Sequence, residues 1–496
     1  MSDLKFRPEL HALEAREVPA LNLFYNGADL LLTGTPTAGG NDTLLIANTG
    51  NNNFKVTDGT LNLGTYHVTQ DIRVRLTSFD TSIDLELAGA TLRGNVDFDL
   101  GAGDRDPSTF SYAFVDNASG AGKIRGDVTF RGGAGTEQVG VTGDGSGASI
   151  DIGGSIRAVG KSVATPLEDE LFVGFDTEVH GDVSATRYTY TTIYATIDGD
   201  VNSNAADSPG GMGFALYGTV HGDVTATGGA TAPGYYSFAH IYGTVDGDVQ
   251  YNLTGRLAIT SVDGTVGGDF TVRHTGGGTA FAIVFGEVKG NFTCTAKDDG
   301  AYDETDAYVE GVVRGDFRFK QTGAAGSSVV VVDGYVVGDA DIDVGGANTR
   351  FAEVDLEGAI GGSATVVGRS NSISVAVLAI PGLSAQFGVP GLKAVAGNLT
   401  IRLGDGANSL DIEQLDPGAT TIGGKLSYTG GSGADKVTIG GHNTFPATIK
   451  TGAGDDTVAF APDATVGSAT IDFGAGTDTW TPPSVIAFPV KLKQLP

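Results

Sequence analysis

Apolar and polar residues alternate in short bursts along almost the whole chain. Val183-Ser184-Ala185-Thr186 and Val224-Thr225-Ala226-Thr227 are two of them. A period of two sends one set of side chains inward and the other outward, as on a β-strand. A Gly- or Ser-rich turn follows each burst. A second apolar segment comes next, such as Phe214-Ala215-Leu216-Tyr217 or Phe238-Ala239-His240-Ile241-Tyr242. No 3.6-residue apolar period is sustained in these windows, which excludes helical repeats.

A recurring phrase organises the bursts: an aliphatic residue, any residue, Gly, Asp or Asn, then an aliphatic residue or Phe. It reads Val179-His180-Gly181-Asp182-Val183, Val220-His221-Gly222-Asp223-Val224 and Val313-Arg314-Gly315-Asp316-Phe317. Its glycines from 181 to 338 fall at 181, 199, 222, 247, 268, 290, 315 and 338. Steps of 18 to 25 residues suit one coil of a β-helix and are too short for a propeller blade or a helical repeat. Gly-Thr-Val (Gly218-Thr219-Val220, Gly243-Thr244-Val245) leads back into the phrase.

The pattern predicts an all-β chain, a single parallel β-helix over residues 26–480, right-handed by the usual crossover preference. It would hold about 17–20 coils and run ~80–95 Å at the strand spacing. Residues 1–25 and 481–496 read as terminal caps, which a stack of coils needs. Pro8 and Pro19 bracket a short helix candidate in the first of these. The phrase Gly is expected to supply corner backbone angles, and the Asp to bond nearby amides.

Composition agrees with a repeat: 78 glycines, against 16 prolines, are spread from end to end. With 30 Lys+Arg against 59 Asp+Glu, the net charge is -29. Such acidity disfavours nucleic acid and anionic lipid as partners, since both need a cationic face. The lone Cys294 excludes an internal disulfide or a cysteine metal cluster and reads as a small buried hydrophobe. No apolar run approaches the ~18 residues of a transmembrane helix.

The segment Phe6-Arg7-Pro8-Glu9-Leu10-His11-Ala12-Leu13-Glu14-Ala15-Arg16-Glu17-Val18-Pro19-Ala20 resembles the N-terminal LEPR-like segment of planctomycete-type secreted proteins. His11 stands where that pattern often has Glu. The resemblance implies export to the cell surface or beyond.

A second motif carries the candidate chemistry. Gly430-Gly431-Ser432-Gly433-Ala434-Asp435-Lys436-Val437-Thr438 fits the nonapeptide G-G-x-G-x-D-x-U-x throughout. Gly452-Ala453-Gly454-Asp455-Asp456 and Gly474-Ala475-Gly476-Thr477-Asp478 lack only its first Gly. Gly404-Asp405-Gly406-Ala407-Asn408 also has Asn for Asp, and Gly133-Ala134-Gly135-Thr136-Glu137 and Gly40-Asn41-Asp42 are partial copies. These turns resemble RTX haemolysin-type repeats, and the resemblance implies bound calcium. Glycines turn carbonyls inward, carboxylates add hard oxygens, and Ca²⁺ takes six to eight such ligands. Asp405, Asn408, Asp435, Asp455, Asp456 and Asp478 are the candidate ligands. Asn408, Asp435, Asp456 and Asp478 lie 27, 21 and 22 residues apart, so they are not in nine-residue tandem and could meet only as stacked corners. The alternative is that each Asp simply caps its own turn. Asp200, Asp223 and Asp248 pose the same choice on the phrase ridge, between backbone hydrogen bonds and intervening cations.

No nucleophile elbow, P-loop or HExxH occurs, and His180 and His221 fall two coils apart, a poor metal pair. The acidic runs Glu168-Asp169-Glu170 and Asp303-Glu304-Thr305-Asp306 read as solvated loops. The expectation is a non-enzymatic surface or matrix rod, structural or adhesive, able to self-associate or stack end to end. The alternative is a polysaccharide lyase or hydrolase, or a glycan-binding module. Tyr188, Tyr190, Tyr194, Tyr235 and Tyr236 are its candidate stacking residues. A polysaccharide or cell-surface partner suits either reading.

Overall fold

The computed structural model describes residues 21–494, apart from 37–42, 78–81, 102–109, 134–135, 161–168, 209, 230–235, 277, 299–303, 324–325, 346–348, 370–371, 380–391 and 415–420. The N-terminal helix candidate and Gly40-Asn41-Asp42 lie outside the described residues. The described residues form no helix, and none of their elements is a helix long and apolar enough to cross a membrane. They form a β-solenoid of about 15 turns, fewer than the spacing suggested. The third side of the winding thins out towards the C-terminus.

Each turn visits three sheets. Sheet A holds the strand that follows the phrase, as in Val183–Thr186, Val224–Gly229 and Phe270–Thr275. Sheet B holds the second apolar segment, as in Met212–Leu216 and Thr279–Val284. Sheet C holds the two-residue strands of Gly-Thr-Val, such as Thr219–Val220 and Thr244–Val245. Neighbouring turns pair in parallel and in register: Val183 lies beside Val201, Val201 beside Val224, and Val224 beside Val249. After Ala359–Ile360, sheet C survives only as single bridges, Ile360 to Val395 and Val395 to Ile422.

Alternation buries every second residue along the strands. Phe270, Phe292 and Phe317 stack down the interior with ring centroids 5.1 and 5.2 Å apart. Cys294 is buried among such columns. A buried aliphatic side chain contributes roughly 1.5–3 kcal/mol, so each turn gains mainly by covering its neighbour.

The N-terminal end departs from the parallel rule. Leu21–Tyr25 pairs antiparallel with Leu30–Gly34. Asn53–Asp58 pairs antiparallel with Thr43–Asn48 on one side and Leu61–His67 on the other. At the other end, Val490–Lys493 is the last strand of sheet A and Thr479–Thr481 the last of sheet B.

The phrase glycines serve a different purpose from the one expected. None from Gly181 to Gly338 has a left-handed backbone. They are needed for close approach: a Cβ on Gly222 would collide with Asp200 Oδ1 and the Gly199 carbonyl of the turn before.

Candidate functional site

Two stacks of acidic and amide side chains run along the rod, at different corners. The first is built from the phrase. Oδ1 of Asp200 accepts the backbone N–H of Asp223 (2.9 Å), Asp223 that of Asp248 (2.8 Å), and Asp248 that of Asp269 (2.8 Å). The chain of bonds starts at Asp29, accepts Asn or Ser in places, and ends when Asn398 Oδ1 receives the N–H of Lys425. The ridge carboxylates are therefore bonded to backbone amides, the first of the two arrangements weighed from the sequence. The next position in register is Pro446. Lys425 offers no acceptor and Pro446 no N–H, so the stack stops there.

The second stack begins as the first ends. Registration of Ser409 with Lys436, Thr457 and Thr479 sets Asn408, Asp435, Asp456 and Asp478 one above another at the entrance to sheet B. Here the acceptor lies one turn C-terminal to its donor. Asp435 Oδ1 takes the Asn408 N–H (3.2 Å) and Nδ2 (2.9 Å), Asp456 Oδ1 takes the Asp435 N–H (2.8 Å), and Asp478 Oδ1 takes the Asp456 N–H (3.0 Å). Asn408, Asp435 and Asp456 are each at most 2 % exposed. One oxygen of each, and of Asp478, is enclosed without a protein hydrogen bond. Burial pushes the Asp435 carboxyl up to about 6, against the pull of Asn408 and the Tyr428 hydroxyl beside it. Tyr428 is itself fully buried, and burial raises its hydroxyl far above the ordinary range.

Asp405 and Asp455 do not join this column. They face solvent, where their Oδ1 atoms accept the N–H groups of Ser432 (2.9 Å) and Thr477 (2.8 Å). Of the six candidate ligands, four share an interior column and two are turn caps. Among the described residues no cluster of three or more His, Cys, Asp or Glu side chains has the geometry to hold a metal as it stands.

The same column is acidic again near the start of the rod. Gln138 pairs with Glu170, which aligns Glu137 with Asp169. Asp169 Oδ1 accepts the Glu137 N–H at 3.0 Å, and burial pushes Asp169 up to about 7. Glu137 carried a visible signal in its partial Gly-x-Gly motif. Asp169 sits in an acidic run that read as a solvated loop, yet it is 4 % exposed.

Tyr188 is also fully buried, so it cannot present its ring to a ligand. Tyr194, Tyr217 and Tyr242 form an outward ladder with centroids 4.5 and 4.7 Å apart and rings within 10° of parallel. Stacked this way, each ring covers its neighbour's face and leaves edges to solvent, a poor platform for sugar stacking. Tyr236 is exposed, and Tyr235 lies outside the described residues. His180 and His221 each pair with a carboxylate of the next turn, Asp198 and Asp246, at 2.6 Å. Those hydrogen bonds raise both imidazoles above their ordinary range.

A shallow groove of about 510 Å³ lies on sheet A, lined by Arg131, Arg157, Asp182 and Asp200 among others. Its ridge carboxylates belong to the first stack and already accept backbone amides. Compared with family models, curated proteins and solved structures, the chain matches none.

Proposed function

We propose that the chain is an extracellular or cell-surface rod with a structural or adhesive role, wound right-handed and stabilised by calcium at its C-terminal corner. The supporting observation is the first stack: polar residues that could have formed a reactive groove instead bond turn to turn. The terminal antiparallel strands at one end, and Lys491, Lys493, Pro482, Pro483 and Pro489 near the other, act as caps that discourage uncontrolled edge pairing. The LEPR-like segment and the acidity favour an exported protein. The enclosed oxygens of Asn408, Asp435, Asp456 and Asp478 give the corner the hard, anionic character that calcium prefers.

Immunolabelling of intact source cells with antibody to the folded rod tests the location. Labelling of unpermeabilised cells, lost on protease shaving, is the expected result; labelling only after permeabilisation contradicts it. Thermal unfolding with roughly 5 mM calcium against chelator tests the corner. A raised melting temperature that Asp456→Asn abolishes is expected; no shift leaves all four residues as turn formers.

A further inference from the structure

Sheets A and B differ in the charges their strands carry. Over the turns from Val128 to Gly323, the strands of sheet A carry Arg131, Arg157, Arg273, Lys297, Arg318 and Lys320. No strand of sheet B from Ser82 to Val332 carries Lys or Arg. Its outward positions hold carboxylates, apolar residues and uncharged polar groups such as Gln138 and Thr192 instead. Asp84, Glu86 and Asp116 cluster towards one end and Glu304 lies towards the other. Between them are half-buried Phe238, Ile259, Phe281 and Ile283. Tyr217, Tyr242 and Phe285 extend this patch along its edge at 43, 44 and 46 % exposure. A contiguous apolar patch on a soluble surface marks a contact site.

We infer that this rod associates side by side with a second copy of the same chain, sheet A of one against sheet B of the next. Charge favours that pairing, because the cations Arg157, Arg273 and Lys320 stand on sheet A beside the ridge carboxylates, whereas the facing strands of sheet B carry no cation and hold carboxylates at both ends. Among the described residues, Arg157, Arg273 and Lys320 form no internal ion pair that would neutralise them, unlike Arg131 with Asp97 and Arg318 with Asp316. Spacing favours it too. Both faces repeat once per turn at the strand separation of ~4.8 Å, so side-chain rows of one copy fit between those of another along their whole length. Nine turns of ~4.8 Å by a face ~15 Å wide offer roughly 650 Å² per partner, at the lower end of a standard specific interface. The net charge of -29 opposes association, but at physiological salt it is screened beyond ~8 Å. Because the two contacting faces differ, the contact does not close on itself, and copies add into layers. The inference deepens the structural reading above and names the partner of its flat faces.

The test uses sedimentation velocity and small-angle scattering of the full chain at 0.15 M salt across a wide concentration range. Mass is expected to rise with concentration while the particle thickens at constant length. Arg157→Glu with Arg273→Glu blocks sheet A, and Phe281→Lys with Ile283→Lys blocks sheet B. Each double variant, checked for an unchanged β spectrum, should weaken association at least tenfold. Mixed in equal amounts, the two should form dimers and nothing larger, since one good A face and one good B face remain. Monomers at every concentration, growth by lengthening alone, or association that ignores both variants would overturn the inference. None of these outcomes bears on the cell-labelling result.

Discussion

The two acidic stacks use the same residue types to opposite effect. On the phrase ridge, Asp200, Asp223 and Asp248 are exposed, and each serves one amide of the following turn. At the entrance to sheet B, Asp169, Asp435 and Asp456 point into the rod, and each serves an amide of the preceding turn. The remaining oxygen of a ridge carboxylate is open to water. The interior carboxylates have no such relief, and burial raises Asp169 and Asp435. Position relative to solvent, rather than motif, separates a plain hydrogen-bonding ladder from a column that favours a proton or a cation.

The largest expected effect lies with Asp169. Its folded value of about 7 exceeds the ordinary 3.8, so the folded state binds the proton more tightly. The stability this provides is complete below about pH 4 and is lost as pH rises through 7. The loss amounts to up to about 4 kcal/mol, counting 1.36 kcal/mol per pH unit. Denaturant unfolding from pH 4 to 8 should show this decline, and Asp169→Asn should flatten it; a decline that persists in the variant assigns it elsewhere. Next comes Gly222→Val, which drives a side chain into Asp200 and the Gly199 carbonyl. It should cost about 3 kcal/mol and admit protease near residue 222.

Asp223→Ala removes one rung and strands the Asp248 N–H, a loss of about 1–2 kcal/mol by urea unfolding at pH 7. Asp223→Asn should change stability by less than about 0.5 kcal/mol, because Asn291 already occupies an equivalent rung and bonds the Asp316 N–H. A large loss in the Asn variant would mean that ridge charge matters in itself, and the contrast between the stacks would weaken.

Much of the winding was legible in the sequence. Period-two bursts gave the strands, and phrase spacing gave the turn, because both are imposed locally on every repeat. The stacking of Asn408, Asp435, Asp456 and Asp478 was open, since spacings of 27, 21 and 22 residues say how much chain lies between corners and not where it returns. The burial of Asp169 and Tyr188 was hidden for a related reason. A residue at a corner faces in or out according to the path of the loop before it, and alternation does not extend through loops. The phrase Gly was identified by its recurrence but misjudged in its cause. Steric need from a neighbouring turn leaves no mark in local sequence that distinguishes it from a need for unusual backbone angles.

The first stack also bears on how the rod yields to force. From Asp29 to Lys425 each turn is fastened to the one before it by parallel strands and one ridge bond, and to little beyond. Pulled from the C-terminal end, it should come apart a turn at a time, as thread leaves a spool. A turn of about 23 residues adds ~4.8 Å of rod when wound and roughly 75–80 Å of chain when paid out. Tension would then be met by stepwise lengthening more than fifteenfold per turn released, with every step reversible while the remaining turns present the next ridge carboxylate as a template.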